Sequence, residues 1–75
     1  MEELKKFIQE EIMNAAFVKV GFDDLLLSNK LIDSITIVDI IVAIEEKIDK
    51  KFPQNLMQDE NFDSINKMIE TIEKL

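Results

Sequence analysis

Residues 33–49, Asp33-Ser34-Ile35-Thr36-Ile37-Val38-Asp39-Ile40-Ile41-Val42-Ala43-Ile44-Glu45-Glu46-Lys47-Ile48-Asp49, decide how this chain folds. Their isoleucines and valines are β-branched and favour strands by propensity, but the run is too long for an ordinary strand and does not alternate apolar with polar. Asp33 and Ser34 are both helix-start residues. A helix is therefore predicted from Ile35 to Asp49, stopping before Pro53, because the residue ahead of a proline is pushed out of helical geometry. The plainest role for Ser34 in this setting is to cap that helix.

Upstream, Leu4, Phe7, Ile8 and Ile12 recur at helical spacing among Glu and Lys, which predicts an amphipathic helix from Glu2 to Asn14. The stretch from Ala15 to Ile32 holds the only glycine, Gly21, together with Asp23, Asp24, Ser28 and Asn29, a composition that suits a long loop with one helical turn. Phe17, Phe22, Leu25 and Leu26 are expected to pin that loop to the core. So long a loop in so small a domain points to a functional segment. Downstream, a short helix or turn is expected around Leu56 to Glu60, and Asp63 or Ser64 opens a last helix with Ile65, Met68, Ile69, Ile72 and Leu75 on one face. The expected fold is all-α: one domain over residues 1–75, a small four-helix bundle of three main helices and one short helix, with a long loop between the first and second helices.

At about 100° per residue, the central helix carries two apolar stripes. Ile37, Ile40, Ile41, Ile44 and Ile48 share one side and suffice as a core stripe. Ile35, Val38 and Val42 fall about a third of a turn away, where Asp39 and Glu46 also project and Glu45 borders. This second stripe reads either as the far side of a helix buried nearly all round, or as a docking face whose apolar centre gives affinity and whose charged rim gives orientation. Ser34 lies at its start.

The chain has neither cysteine nor histidine, which excludes disulfide staples and the usual zinc sites and leaves apolar packing, from 47% hydrophobic residues, to hold the fold. Sixteen acidic residues against nine lysines and no arginine give a net charge of −7. Such a chain repels nucleic acid and anionic membranes, and its acidity either steers it toward basic protein surfaces or simply keeps a small protein soluble. Met1 is followed by Glu2 and Glu3, and no charge-free run approaches the ~20 residues that span a bilayer, so a soluble, cytoplasmic monomer is expected. A calcium-loop reading of residues 59–63 fails for want of the glycine and the spaced ligands.

With no imidazole in the chain, Ser34 has no Ser-His-Asp system, and nothing in the spacing supports a serine–lysine pair through Lys30. If its hydroxyl is used chemically, another enzyme activates it. A helix start also suits a covalently attached phosphodiester, because free N–H groups and the positive end of the helix dipole face the anion. Asp33 would repel that anion modestly, except when a divalent cation is held between them during attachment.

Leu31-Ile32-Asp33-Ser34-Ile35 resembles the Asp-Ser-Leu signature of the acyl and peptidyl carrier proteins, in which the serine receives phosphopantetheine from coenzyme A. Glu45-Glu46 and Phe52-Pro53 resemble that family's acidic pair and Ile-Pro at matching spacing, and Asn61-Phe62-Asp63-Ser64-Ile65 is similar to the start of its last helix, so the likeness runs over nearly the whole chain. It implies a protein that is not itself an enzyme. Ser34 would be the attachment point, with Asp33 helping to hold the magnesium used by the phosphopantetheinyl transferase. Ile35, Val38, Asp39, Val42, Glu45 and Glu46 would form the partner-recognition positions, and Ile37, Ile40 and Ile44 would lie near a cavity for the cargo if the bundle shelters it. The implied partners are the transferase and acyl-loading and acyl-transferring enzymes with basic docking surfaces, in fatty acid or related acyl biosynthesis.

Ile32 stands where the family often has glycine, and Ile35 where it has leucine. Thr36 and Ile37 replace an acidic residue and a threonine common in fatty-acid-synthesis members, which makes the surface near the arm less acidic. An aminoacyl or peptidyl carrier, for example one of D-alanine, stays open, and so does an unmodified helical interaction module in which Ser34 only caps.

Overall fold

The computed structural model describes residues 2–75. These form three α-helices and no strand: α1, Glu2–Ala16; α2, Ser34–Ile48; and α3, Ile65–Glu73. Helix α1 lies against both α2 and α3, and the radius of gyration is 11.0 Å, close to the roughly 11 Å of a packed globular chain of this length.

The core is where the helical patterns meet. Ile8 and Ile12 from α1, Ile37, Ile40, Ile41 and Ile44 from α2, and Ile65, Met68 and Ile69 from α3 are all buried. Each fully buried isoleucine contributes about 1.5–3 kcal/mol of transfer free energy against the entropy of ordering the chain. Ile48 is only half-buried, at the end of its stripe. Phe52 and Phe62 add an edge-to-face aromatic pair, with centroids 5.3 Å apart at 86°, which ties the segment after α2 to the approach of α3.

Helix α1 runs two residues past its predicted end, since Ala15 and Ala16 continue a helix at little cost. It stops at Phe17, which takes left-handed backbone (φ 58°) and still donates its N–H to the Met13 carbonyl. That turn throws the Phe17 ring into solvent, 88% exposed, so Phe17 does not pin the loop; Leu25, 41% exposed, does not either. Leu26 is buried and Phe22 packs at the margin of the core, as expected, and Val20 and Ile32 are the further anchors of the loop.

The short turn or helix expected around Leu56 to Glu60 is met by turns and not by a fourth α-helix. Two 3-10 turns, Gln54–Leu56 and Asp59–Phe62, overlap its two ends. A segment this short, started by Pro53, cannot offset the cost of nucleating an α-helix and settles for i→i+3 bonds, Leu56 N–H to Pro53 O and Asn61 N–H to Gln58 O. Helix α3 ends at Glu73, which leaves Leu75 outside it and 36% exposed.

Candidate functional site

The start of α2 is built by Asp33. Its backbone is extended (φ −94°, ψ 171°), its Oδ1 accepts the Thr36 N–H at 2.8 Å, and its carbonyl accepts the Ile37 N–H at 3.1 Å. Asp33 is therefore the cap, and Ser34 is not. The expectation that Ser34 caps fails because Asp and Ser serve about equally well as N-caps, and the residue one position earlier has taken the place. Ser34 becomes the first residue of the helix, with an exposed side chain. The Thr36 N–H, and then the Thr36 hydroxyl, hold the fully exposed Asp33 carboxyl below its ordinary range, so it is ionised at neutral pH beside the serine.

The two stripes of α2 separate cleanly. Ile37, Ile40, Ile41 and Ile44 lie in the core, whereas Ile35 is 75%, Val38 54% and Val42 47% exposed. Helix α2 is thus not buried all round. Asp39 and Glu46 are exposed on this side, and Glu45 is half-buried, its carboxylate accepting the Phe52 N–H at 2.9 Å. Glu45 thereby fastens the chain beyond α2 while bordering the open face. Beyond it, Lys50 and Lys51 join Val42, Glu46 and Asp49 around a hollow of about 250 Å³, so the far end of the face carries both signs of charge.

Asp33 and Ser34 border a concavity of about 610 Å³ walled by Ala16, Leu27, Lys30, Leu31, Ile32 and Thr36. It is a hollow open to solvent, not an enclosed cavity. Ile37, Ile40 and Ile44 do not line it; they are packed in the core.

Leu27 of this wall is bonded to Asp63, a residue the sequence marked as a helix opener. Its Oδ1 accepts the N–H groups of Leu27 at 2.7 Å and Ser28 at 3.0 Å, its Oδ2 accepts the Ser28 hydroxyl, and its carbonyl accepts the Leu26 N–H at 2.6 Å. Burial pushes the Asp63 carboxyl up, but the Ser28 hydroxyl and the Ser28, Leu27 and Leu26 N–H groups outweigh it and hold the group below its ordinary range. A partnership spanning 35 residues leaves no trace in local spacing.

Among the described residues, no helix is long and apolar enough to cross a membrane, and no three acidic side chains are grouped to hold a metal ion. Neither protein-family models nor curated proteins match the chain.

Proposed function

We propose that this chain is an acyl carrier protein, which holds acyl groups as thioesters on a phosphopantetheine arm attached at Ser34 and delivers them between partner enzymes. The observation that carries the reading is that Asp33 caps α2 and leaves the Ser34 side chain exposed at the first helical position, its hydroxyl uncommitted among the described residues. A residue at that position stands beside the unpaired N–H groups of the first turn, where an attached phosphodiester is favoured by the positive end of the helix. Ser34 and that first turn fit the group.

Attachment joins Ser34 Oγ to the phosphorus bearing the pantetheine half of coenzyme A, releases the nucleotide half, and gives the serine proton to a base of the transferase. The arm supplies a terminal thiol to a chain that has no cysteine of its own. Asp33, ionised and adjacent, helps hold the magnesium that the transferase brings. Ile35, Val38 and Val42, rimmed by Asp39, Glu46 and Glu45, form the docking face for basic partner surfaces. In this reading the two 3-10 turns stand for the short fourth element of the bundle, and the protein works as a cytoplasmic monomer without nucleic acid or membrane.

Thr36 and Ile37 leave the neighbourhood of Ser34 less acidic, which favours a carrier dedicated to one pathway, of an amino acid or an unusual acyl group, as the second reading within the same chemistry. Intact-mass measurement after incubation with coenzyme A, magnesium and a broad-specificity phosphopantetheinyl transferase tests the proposal. The expected result is a gain of one phosphopantetheine, absent in Ser34→Ala. An unchanged mass in the parent chain overturns the carrier reading and leaves an unmodified interaction module.

A further inference from the structure

Between the buried anchors Leu26 and Ile32, Leu27 packs against the margin of the core, and residues 28–31 are exposed and shaped by hydrogen bonds. The Leu26 carbonyl accepts the N–H groups of Leu31 at 2.9 Å and Ile32 at 3.1 Å, and the Leu27 carbonyl accepts that of Lys30 at 3.1 Å. Lys30 closes the turn in left-handed backbone (φ 58°), a conformation that costs a residue with a side chain some free energy and persists only where neighbours enforce it. Leu27, Lys30, Leu31 and Ile32 are also a wall of the concavity that reaches Ser34. Asp33 follows Ile32 directly.

The start of this turn, Leu26 to Ser28, is gripped by Asp63. A carboxylate accepting two N–H groups and one hydroxyl makes charge-assisted bonds, roughly twice as strong as neutral ones, and here it joins the N-terminal approach of α3 to the loop. Asn66 makes a separate tether farther upstream: its N–H donates to the Phe22 carbonyl at 3.0 Å and its side chain donates to Asp23. The loop is thus fastened to α3 at two points, and only the Asp63 point bears on the turn that leads into Ser34.

We propose that Asp63 is a positioning residue: by fixing the Leu26–Ile32 turn across the loop, it sets the place at which Ser34 meets its modifying enzyme. The proposal rests on the carrier reading of Ser34 for its functional half, whereas its structural half stands on the geometry alone.

Amide hydrogen exchange of the full chain, run beside transferase kinetics with coenzyme A, tests both halves. In Asp63→Ala, exchange at Ser28, Leu31 and Ile32 accelerates by about tenfold or more, equivalent to about 1.4 kcal/mol of lost local protection, while amides in the middle of α1 and α2 change much less. The KM for this protein as transferase substrate rises in the same variant and kcat holds. Asp63→Asn, which keeps an acceptor oxygen, recovers most of the protection and of the KM. Ser28→Ala, milder should Asp63→Ala fold poorly, gives a smaller change of the same sign. Asn66→Ala leaves the KM unmoved.

Equal acceleration throughout the molecule overturns the proposal, because Asp63 would then be a general stabiliser. An unaltered KM alongside faster exchange at the turn also overturns it. If the parent chain takes no phosphopantetheine, the carrier reading and the serine-presenting role fall together, and exchange at the turn still decides whether Asp63 holds it.

Discussion

The tripeptide Asp-Ser-Ile occurs twice, at residues 33–35 and 63–65, each time at a helix start, and the two copies do opposite things. In the first, the aspartate caps α2, the serine is exposed, and Ile35 projects into solvent at 75% exposure. In the second, the serine caps α3 by accepting the Lys67 N–H at 3.1 Å, the aspartate turns back to grip the loop, and Ile65 is fully buried. The helix begins one residue later in the second copy, and that single step exchanges the tasks of all three side chains. A serine at a helix start is therefore not free or engaged by virtue of its neighbours in sequence. What decides is which residue the first turn selects as its cap.

The isoleucines give the sharpest test of this contrast. Ile65→Ala is expected to cost about 2–5 kcal/mol in urea unfolding, a large share of the roughly 4–11 kcal/mol that a chain of this length commands, while Ile35→Ala stays within about 0.5 kcal/mol and instead weakens docking to the transferase. Comparable losses for the two would mean that Ile35 is a core residue. The serines come next. Ser64→Ala removes a cap from a buried position and should cost about 0.5–2 kcal/mol, whereas Ser34→Ala should leave the unfolding midpoint almost unchanged. A matching loss at Ser34 would show that its hydroxyl is engaged after all.

The aspartates differ least, because both accept N–H bonds that only the ionised folded form makes well. Both carboxyls titrate below their ordinary value in the folded chain, so the folded state binds fewer protons than the unfolded one around pH 4. Their contribution is complete above the unfolded value of about 3.9 and fades as pH falls through the lower folded values. Urea midpoints measured from about pH 6 down to about pH 3 should decline in the parent chain and decline less in Asp33→Asn. An identical slope in that variant would remove Asp33 from the account.

Much of the architecture was legible in the chain itself, because apolar spacing reports directly on which helix face is withdrawn from water. The stripe Ile37-Ile40-Ile41-Ile44-Ile48 and the separate stripe Ile35-Val38-Val42 were both readable from angles alone, and the structure puts the first inside, with Ile48 half-buried at its end, and the second outside. The choice of cap was not readable, since aspartate and serine are near-equivalent there and one stands beside the other. Phe17 misled because hydrophobicity ranks a side chain without saying which way a left-handed turn will aim it. The grip of Asp63 on Ser28 depends on tertiary closure over 35 residues, for which no local spacing rule exists.

The chain changes direction at Phe17, Lys30 and Asp49 on residues that carry side chains, in backbone where glycine would rest without strain. Aspartate tolerates that conformation, but phenylalanine and lysine hold about 1–3 kcal/mol of tension each. At Lys30 the tension can be released by opening one surface turn, with the three-helix core untouched. The turn beside Ser34 therefore keeps its shape only while the Asp63 carboxylate and its own backbone bonds hold it, so its order is set by a residue 29 positions away in sequence.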